Sequence, residues 1–357
     1  MRFQQHRAVI FSVSGKKLLD EERLFFAQAK PLGFILFARN VKDKEQVKTL
    51  VQDLRDSVDN QNAPIFLDQE GGRVARLKEP IWYHPFSASV FGRVAKKSLE
   101  LAKEACYINA QLIAHEMFEL SINVDCAPVA DILQEYSSNV VGDRAFSSDK
   151  KIVAELADAM AKGLLEGGVQ PVIKHIPGHG RAKLDSHLAL PEVYDPYNEL
   201  KDNDFYPFKK LNHYKLGMTA HVLYDAIDRE RPATLSKDVI REIRDTIGFK
   251  GLLVSDCITM KALEGSMADR ASGAFEAGCD IVIYSSAKLL DMQEIIAVSP
   301  EITEQQEKIL AASYKMANND PKPDIGQLKA RLLEILENNV EREHLLFSNF
   351  DPTEQLQ

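Results

Sequence analysis

One segment, "KHIPGHGRAKLDSH" from Lys174 to His187, is unusually dense in side chains that can exchange protons. It contains three histidines, two lysines, an arginine and an aspartate around a Pro-Gly-His-Gly turn. Imidazole changes its charge near neutral pH. Proline fixes φ whereas glycine permits positive φ, so the turn joins a rigid point to flexible ones. The segment therefore indicates general acid/base chemistry carried on a loop.

Asp185 and His187 form the pair in this segment that is best spaced for proton transfer. In an extended backbone, residues two apart point to the same side. The carboxylate could then accept a hydrogen bond from one ring nitrogen, orient the imidazole and favour its protonated form. We therefore expect His187 to act as a general acid or base. Spacing alone leaves a solvated surface pair as the alternative.

The three histidines, His175, His179 and His187, also raise the possibility of a metal site. Pro-Gly interrupts the first pair, so these two rings cannot share a helix face as the histidines of H-E-x-x-H do. Lys174 would also place a positive charge beside a bound metal ion. We expect neither a metal nor another cofactor, and a metal-dependent barrel hydrolase is the alternative.

Other candidate residues follow short apolar runs. Asp256 ends "GLLVSD", and a carboxylate is costly to bury unless it is paired. It could be a nucleophile, a metal ligand or a helix N-cap. Three further apolar runs also end in polar groups: Asp68 to Glu70, Lys174 with His175, and His221.

Eight apolar runs recur along the chain, and their continuous apolar character is typical of strands buried on both faces of a parallel sheet. The runs are Ala8–Val13, Gly33–Phe37, Pro64–Glu70, Ile122–Val129, Pro171–Ile176, Gly217–Val222, Gly251–Asp256 and Asp280–Ser285.

Between these runs the sequence has the apolar period of helices. "KDKEQVKTLVQDLRDSV" and the stretch from Ile152 to Leu165 show it, and Ser236 is placed to cap a helix that begins "KDVIREI". Strand and helix alternating eight times predict an α/β fold, a (β/α)8 TIM-type barrel with its active site at the carboxyl ends of the strands. A doubly wound open sheet is the alternative, but no G-x-G-x-x-G follows the first run.

The chain after Ser285 predicts two more helices, in "PEITEQQEKILAASYKM" and "IGQLKARLLEILENNVEREHLL", joined by the linker "ANNDPKPD". We therefore divide the chain into a catalytic barrel, residues 1–290, and a helical C-terminal extension, residues 291–357, that packs on the barrel.

Composition restricts the partners. The 357 residues are 45% hydrophobic and 27% charged, with a formal net charge of -9, which disfavours a nucleic-acid partner. No run approaches the roughly 20 apolar residues of a membrane span, and Ala8–Val13 is too short for a secretory core. We expect a soluble, cytoplasmic monomer whose partner is a small carbohydrate. We also expect its four cysteines to be buried, reduced thiols.

Five motifs resemble those of the glycoside hydrolase family 3 β-N-acetylhexosaminidases, which are bacterial enzymes of cell-wall recycling. The first segment matches K-H-F-P-G-H-G-x-x-x-x-D-S-H, with Ile176 in place of Phe. "LDQEGGRVAR" resembles D-Q-E-G-G-R-V-x-R, "VGDRAF" resembles I-G-D-R-S-F, and "SDCITM" resembles S-D-D-x-S-M. "MTAHVLY" fits the same family. The motifs span Asp68 to Met260, and the helical tail carries none of them.

The resemblance implies a role for each matching residue. Asp256 matches the nucleophile, His187 the acid/base and Asp185 the partner that tunes this histidine. The residues that match the binding site for a terminal N-acetylglucosamine are Asp68, Arg76, Arg144, Lys174 and His175. Cys257 stands where the family commonly has a second aspartate, which affects the hydrogen bonds around the nucleophile.

The implied activity is retaining hydrolysis through a covalent glycosyl-enzyme, with a terminal N-acetylglucosamine on 1,6-anhydro-N-acetylmuramic acid, with or without peptide, as substrate. We expect Lys174 and Arg144 to favour the ionised nucleophile, and the glycines around His179 to let His187 move inward. The alternatives are a β-glycosidase of other sugar specificity and a sugar-binding barrel without turnover.

Overall fold

The computed structural model describes residue 3 and residues 5–138, 140–317 and 321–345. The strands are β1 Arg7–Phe11, β2 Pro31–Leu36, β3 Ile65–Leu67, β4 Val124–Asp125, β5 Gln170–Pro171, β6 Ile173–Ile176, β7 Glu192–Val193, β8 Leu216–Thr219, β9 Leu223–Tyr224, β10 Leu252–Cys257 and β11 Ile281–Tyr284. The α-helices are α1 Asp20–Ala29, α2 Lys44–Ser57, α3 Ala88–Ala95, α4 Leu99–Glu119, α5 Lys150–Glu166, α6 Tyr197–Glu199, α7 Phe205–Lys210, α8 Lys237–Glu242, α9 Met267–Ala277, α10 Leu289–Val298, α11 Glu304–Met316 and α12 Ile325–Asn339.

The main sheet closes into a barrel. Its strand order is β5-β4-β3-β2-β1-β11-β10-β8-β6, and all the neighbouring strands are parallel. The two ends of this order, β5 and β6, belong to one continuous segment, residues 170–176. Counted as one strand, that segment gives eight strands in sequence order, which confirms the predicted (β/α)8 fold.

The continuous apolar runs are explained by a barrel that is buried on both sides. Ile10, Phe66 and Val254 belong to the cluster inside the barrel. Their neighbours Val9 and Leu67 belong to the cluster between the strands and the helices. Because successive side chains of a strand point to opposite faces, both faces need apolar residues here.

The predicted helices form where the apolar period placed them. α2 buries Val47, Leu50, Val51 and Leu54, and α5 extends from Lys150 to Glu166. Ser236 caps α8 as predicted, because its hydroxyl accepts a hydrogen bond from the Val239 N–H at 3.2 Å.

The C-terminal helices pack against the barrel. Ile302 and Leu310 join Phe3 in the inner cluster, so α11 covers the amino end of the barrel. The Ile302 N–H donates to the His6 carbonyl just before β1. α12 packs on α4, and Arg331 binds Glu104 there with two hydrogen bonds of 2.7 and 2.9 Å. The predicted boundary at residue 290 falls within α10, and the division into two domains stays a prediction.

Two features were missing from the prediction: the helix α10, which precedes the first helix predicted for the C-terminal part, and a second sheet. β7 and β9 pair in parallel as a separate two-stranded sheet. At two residues each, these strands are too short to show a period in the sequence. No helix among the described residues is long and apolar enough to cross a membrane.

Candidate active site

One pocket lies where the carboxyl ends of β3, β6 and β10 meet the loops that follow β4 and β6. Its lining residues are Asp68, Val129, Asp131, Val140, Val141, Arg144, Lys174, His175, His179, Ser186, His187 and Asp256. Six of the eight predicted site residues are among them. The other two, Arg76 and Asp185, each contact one of these six from outside the lining.

A buried chain of charges forms one side of the pocket. Lys174 Nζ lies 2.9 Å from Asp68 Oδ1 and 2.6 Å from Glu70 Oε1. Arg144 binds Glu70 with two hydrogen bonds, Nε to Oε2 at 2.7 Å and Nη2 to Oε1 at 2.8 Å. Arg76 Nη2 lies 3.3 Å from Asp68 Oδ2. Three cations thus alternate with two carboxylates, which is the arrangement that buried charges require.

The two carboxylates and Lys174 are held in their charged forms by one another. Burial alone would raise the pKa of Asp68 and of Glu70, but the facing cations lower both below their ordinary values. Burial would lower the pKa of Lys174, but Asp68 and Glu70 raise it well above its ordinary value. The pocket therefore offers fixed donors, the ammonium and guanidinium groups, beside fixed acceptors, a combination suited to the hydroxyls of a sugar.

Asp256 lies near the end of β10 and is partly exposed to the pocket. Its Oδ1 accepts a hydrogen bond of 2.7 Å from the Cys257 N–H. Burial acts to raise the pKa of Asp256, but His221, His175, this N–H and His187 together lower it below its ordinary value. Asp256 is therefore an ionised carboxylate at neutral pH.

The groups that keep Asp256 ionised differ from the predicted ones. We expected Lys174 and Arg144 to do so, but these side chains are bound to Asp68 and Glu70. His221 follows β8, which neighbours β10 in the barrel, whereas His175 in β6 and His187 in the turn after β6 line the same pocket as Asp256.

His221 and Cys257 lie behind Asp256. The His221 ring is fully buried and bridges Thr234 Oγ1, at 2.7 Å from Nδ1, and the Cys257 carbonyl, at 3.0 Å from Nε2. The Cys257 thiol lies 2.9 Å from Ser285 Oγ. The cysteine that replaces the usual aspartate therefore makes its own hydrogen bond in the barrel. All four cysteines are free and buried, as predicted.

His175 is oriented by a residue that the sequence did not reveal, Asp131. The His175 Nδ1 lies 2.7 Å from Asp131 Oδ2, and Asp131 Oδ1 accepts the His179 N–H at 2.6 Å. Burial acts to raise the pKa of Asp131, but His175 lowers it overall, so the group is a carboxylate. A carboxylate accepts only, so the His175 Nδ1 carries the proton of this hydrogen bond.

The predicted contact between Asp185 and His187 is present, but the backbone differs from the prediction. Asp185 Oδ1 lies 2.6 Å from the His187 Nδ1 and 2.9 Å from its N–H. The segment is a turn and not extended, since the Asp185 carbonyl accepts the Leu188 and Ala189 N–H groups. The short side chain of aspartate reaches its own backbone two residues on, which favours such a turn. Burial acts to raise the pKa of Asp185, but the His187 ring and N–H lower it overall.

The glycines of the first segment are required by close packing. Gly178 has a φ of +141°, which L side chains rarely adopt. A Cβ at Gly180 would lie 1.9 Å from the Ile132 carbonyl oxygen. Both glycines thus let the root of the loop pack tightly, in addition to any freedom they provide for movement of His187.

The three histidines of the metal alternative point to different partners. His175 binds Asp131, His187 binds Asp185, and His179 Nε2 lies 3.3 Å from Ser186 Oγ. Within the described ranges, the three potential ligands whose atoms lie within 4.8 Å of one another are Glu341, Glu343 and His344. The three pocket histidines are not among these residues, because each of their rings pairs with a different partner.

The sequence did not single out Asp131 and Ser186, and it named Glu70 at the end of an apolar run and His179 for a metal site without the contacts that they make here. Glu70 stands inside the D-Q-E-G-G-R motif, which could have indicated it. Asp131 lies in "APVAD", where no spacing links it to His175, so only the fold brings them together.

Known proteins resemble this chain over most of its length. Residues 7–318 match the model of the glycosyl hydrolase family 3 N terminal domain. A Beta-hexosaminidase of Tolumonas auensis is 35% identical over 282 residues, which is 77% of this chain and 81% of that protein. A Beta-hexosaminidase of Neisseria meningitidis serogroup B is 36% identical over 281 residues, which is 77% of each. The crystal structure of NagZ from Neisseria gonorrhoeae in complex with N-trifluoroacetyl-D-glucosamine has a TM-score of 0.83 and 29% identity, covering 95% of this chain and 100% of that one.

Proposed function

Because the chain belongs to glycosyl hydrolase family 3 and its relatives are β-hexosaminidases, we propose that it is a retaining exo-β-N-acetylglucosaminidase. It removes a terminal β-linked N-acetylglucosamine through a covalent intermediate on Asp256. The observation that carries this proposal is the presence of the Asp256 carboxylate and the His187 imidazole in the lining of one pocket.

In the first step, Asp256 attacks the anomeric carbon and the bond to the leaving oxygen breaks. His187 gives its proton to that oxygen. Since Nδ1 faces the Asp185 carboxylate at 2.6 Å, Nε2 is the nitrogen that exchanges the proton. In the second step, water attacks the anomeric carbon, His187 Nε2 takes a proton from it, and Asp256 leaves as a carboxylate.

The charge chain and His175 hold the sugar. The cations Lys174 and Arg144 donate to sugar oxygens, Asp68 accepts from hydroxyls, and Arg76 holds Asp68 from behind. The acetamido sugar is supported by similarity, because the related NagZ structure contains N-trifluoroacetyl-D-glucosamine.

Trapping of the intermediate tests the covalent step. A fluorinated N-acetylglucosaminyl donor that reacts slowly should add the mass of one sugar to the protein, on the peptide that contains Asp256. Asp256→Ala should lose both the label and nearly all turnover of 4-nitrophenyl N-acetyl-β-glucosaminide. Labelling of another residue would refute the assigned nucleophile.

For the natural substrate we propose a peptidoglycan fragment, N-acetylglucosamine on 1,6-anhydro-N-acetylmuramic acid with or without peptide. Comparing kcat/KM on this fragment with that on chitobiose tests it, and a clear preference for chitobiose would contradict it. The same enzyme after exhaustive chelation should keep its activity; loss of activity that zinc restores would favour the metal-dependent alternative.

A further inference from the structure

The loop that carries Asp185 and His187 is buried at its centre and exposed at its edges. Ser186 and His187 are 3% and 8% exposed, whereas Leu184 and Leu188 are each 53% exposed. An apolar side chain gains nothing from that exposure. Contacts at the centre of the loop must therefore hold it against the pocket.

Ser186 makes two such contacts, with two different segments of the chain. Its hydroxyl lies 3.3 Å from His179 Nε2, at the root of the loop. Its carbonyl accepts the Ala262 N–H, in the segment that follows β10 and Asp256. Ser186, between Asp185 and His187, is thus hydrogen-bonded to the loop after β6 and to the segment after β10.

His179 is itself fixed in place. Its N–H donates to Asp131 Oδ1 at 2.6 Å, and the same carboxylate orients His175. A continuous set of hydrogen bonds therefore runs from His175 through Asp131 and His179 to Ser186.

We propose that Ser186 is a positioning residue that docks the acid/base loop, through its hydroxyl on His179, so that His187 faces the leaving oxygen. This inference deepens the proposed function and rests on it for the role of His187. Ser186 touches no reacting atom in this scheme, because it acts by fixing its two neighbours.

The hydrogen bond can persist over the pH range of an assay. Burial and the neighbouring His175 lower the pKa of His179 to about 4, so its ring is neutral at higher pH. A neutral imidazole and a hydroxyl can each donate or accept, and either direction satisfies both groups.

Substitution of Ser186 by alanine tests the proposal through the leaving group. For Ser186→Ala we expect kcat/KM on phenyl N-acetyl-β-glucosaminide to fall by about fivefold to tenfold, the effect of one hydrogen bond. On the dinitrophenyl glycoside, which leaves without protonation, we expect a change of less than about twofold. The ratio of the two values does not depend on how much of the variant is folded.

His179 provides the matching substitutions. His179→Leu should produce the same selective loss, and Ser186→Ala combined with His179→Leu should lose no more than either alone. His179→Gln, whose amide can occupy the place of Nε2, should retain most of the activity. Equal losses on both glycosides in Ser186→Ala, or additive losses in the double variant, would overturn the proposal.

Proteolysis gives a readout that does not require activity. Lys183 is exposed and lies next to the docked centre of the loop, so trypsin should cleave there faster in Ser186→Ala than in the wild type. Leu188→Ala, in the same loop, is the control and should keep the wild-type rate of cleavage. Unchanged cleavage in Ser186→Ala would refute docking even if the wild type hydrolysed no glycoside, so the two proposals fail separately.

Discussion

At the scale of single residues, the site depends on how each carboxylate is used. Asp256 is left ionised and facing the pocket, Asp185 and Asp131 each orient an imidazole, and Glu70 binds two cations. The same functional group thus serves as the proposed nucleophile, an orienting acceptor or a counterion. The partner that each carboxylate meets decides its role.

His187→Ala should lose most activity where the leaving group needs a proton. We expect kcat/KM on the phenyl glycoside to fall by about 10²- to 10⁴-fold, the usual contribution of a general acid. The dinitrophenyl glycoside should lose far less in this first step. Kinetics on both substrates measure the difference, and equal losses would contradict the role of acid.

Glu70→Gln should destabilise the protein, because it leaves Arg144 without its carboxylate and Lys174 with Asp68 alone. Removing one member of a buried ion pair costs about 3–5 kcal/mol. Urea denaturation measures this change. The control is Asp53→Asn, whose pair with Arg23 has side chains 37% and 41% exposed, and it should cost less than about 1 kcal/mol. Similar losses in both variants would contradict a structural role for the buried chain.

At the scale of elements, the strands carry the site residues that are held rigidly, and the loops carry those that can adjust their position. Lys174 and His175 are within β6 and Asp256 is within β10, so the ladder of hydrogen bonds fixes their backbone. His187 lies on a turn that is held by side-chain contacts. Such contacts are fewer and weaker than a strand ladder, which suits the movement expected of the proposed acid/base residue.

A prediction at this scale concerns the start of α8. Ser236→Ala removes the hydroxyl that accepts from Val239 N–H and also donates to Asp228 Oδ2 at 2.6 Å. We expect a loss of about 1–2 kcal/mol in the free energy of unfolding, measured in urea. Thr49→Ala, on the exposed face of α2, should change stability by less than about 0.5 kcal/mol. If the two variants had the same free energy of unfolding, the hydrogen bonds of Ser236 would not stabilise the start of α8.

At the scale of the whole molecule, the C-terminal helices form part of the barrel surface. Leu332, Ile335 and Leu336 of α12 are buried. Leu336→Ala should therefore cost about 2–5 kcal/mol. Leu333 lies three residues before Leu336 in the same helix and is 45% exposed, so Leu333→Ala should cost much less. Thermal denaturation of both variants measures this, and a small effect of Leu336→Ala would show that α12 adds little to the stability of the fold.

Stability should also depend on pH as a property of the whole charge set. The pKa values of Asp68, Glu70, Asp131 and Asp256 are lowered by folding, each against the effect of burial. Their contribution is present above the unfolded values, about 4, and is lost as the pH falls through the lower folded values. Urea denaturation between pH 3 and 7 should show stability falling on the acid side, with a smaller slope for Glu70→Gln. Burial raises the pKa values of Asp125 and Asp204, which act in the opposite direction on the whole profile. An unchanged slope in Glu70→Gln would therefore be the result that contradicts the lowered pKa of Glu70.

The amino-acid sequence by itself determined the barrel and most of the pocket. Eight apolar runs predict eight strands, because a strand buried on both faces has no polar position. The residues just after those runs predict the site, because parallel strands share one carboxyl edge. Asp68, Lys174, His175 and Asp256 line the pocket for this reason, whereas Arg144 and His187, which also line it, were predicted from motifs that lie between the runs.

Only the tertiary structure decided which charge meets which. Asp131 and His175 are 44 positions apart, and Arg144 and Glu70 are 74 apart, so no local pattern relates them. The turn at Asp185 to His187 was also decided there, since Ser186 is held by His179 and Ala262 from two other parts of the chain. The apolar period of a sequence indicates which face of a helix or strand is buried. The pairing of polar side chains depends on the distances between them in space, and these are set only when the barrel closes.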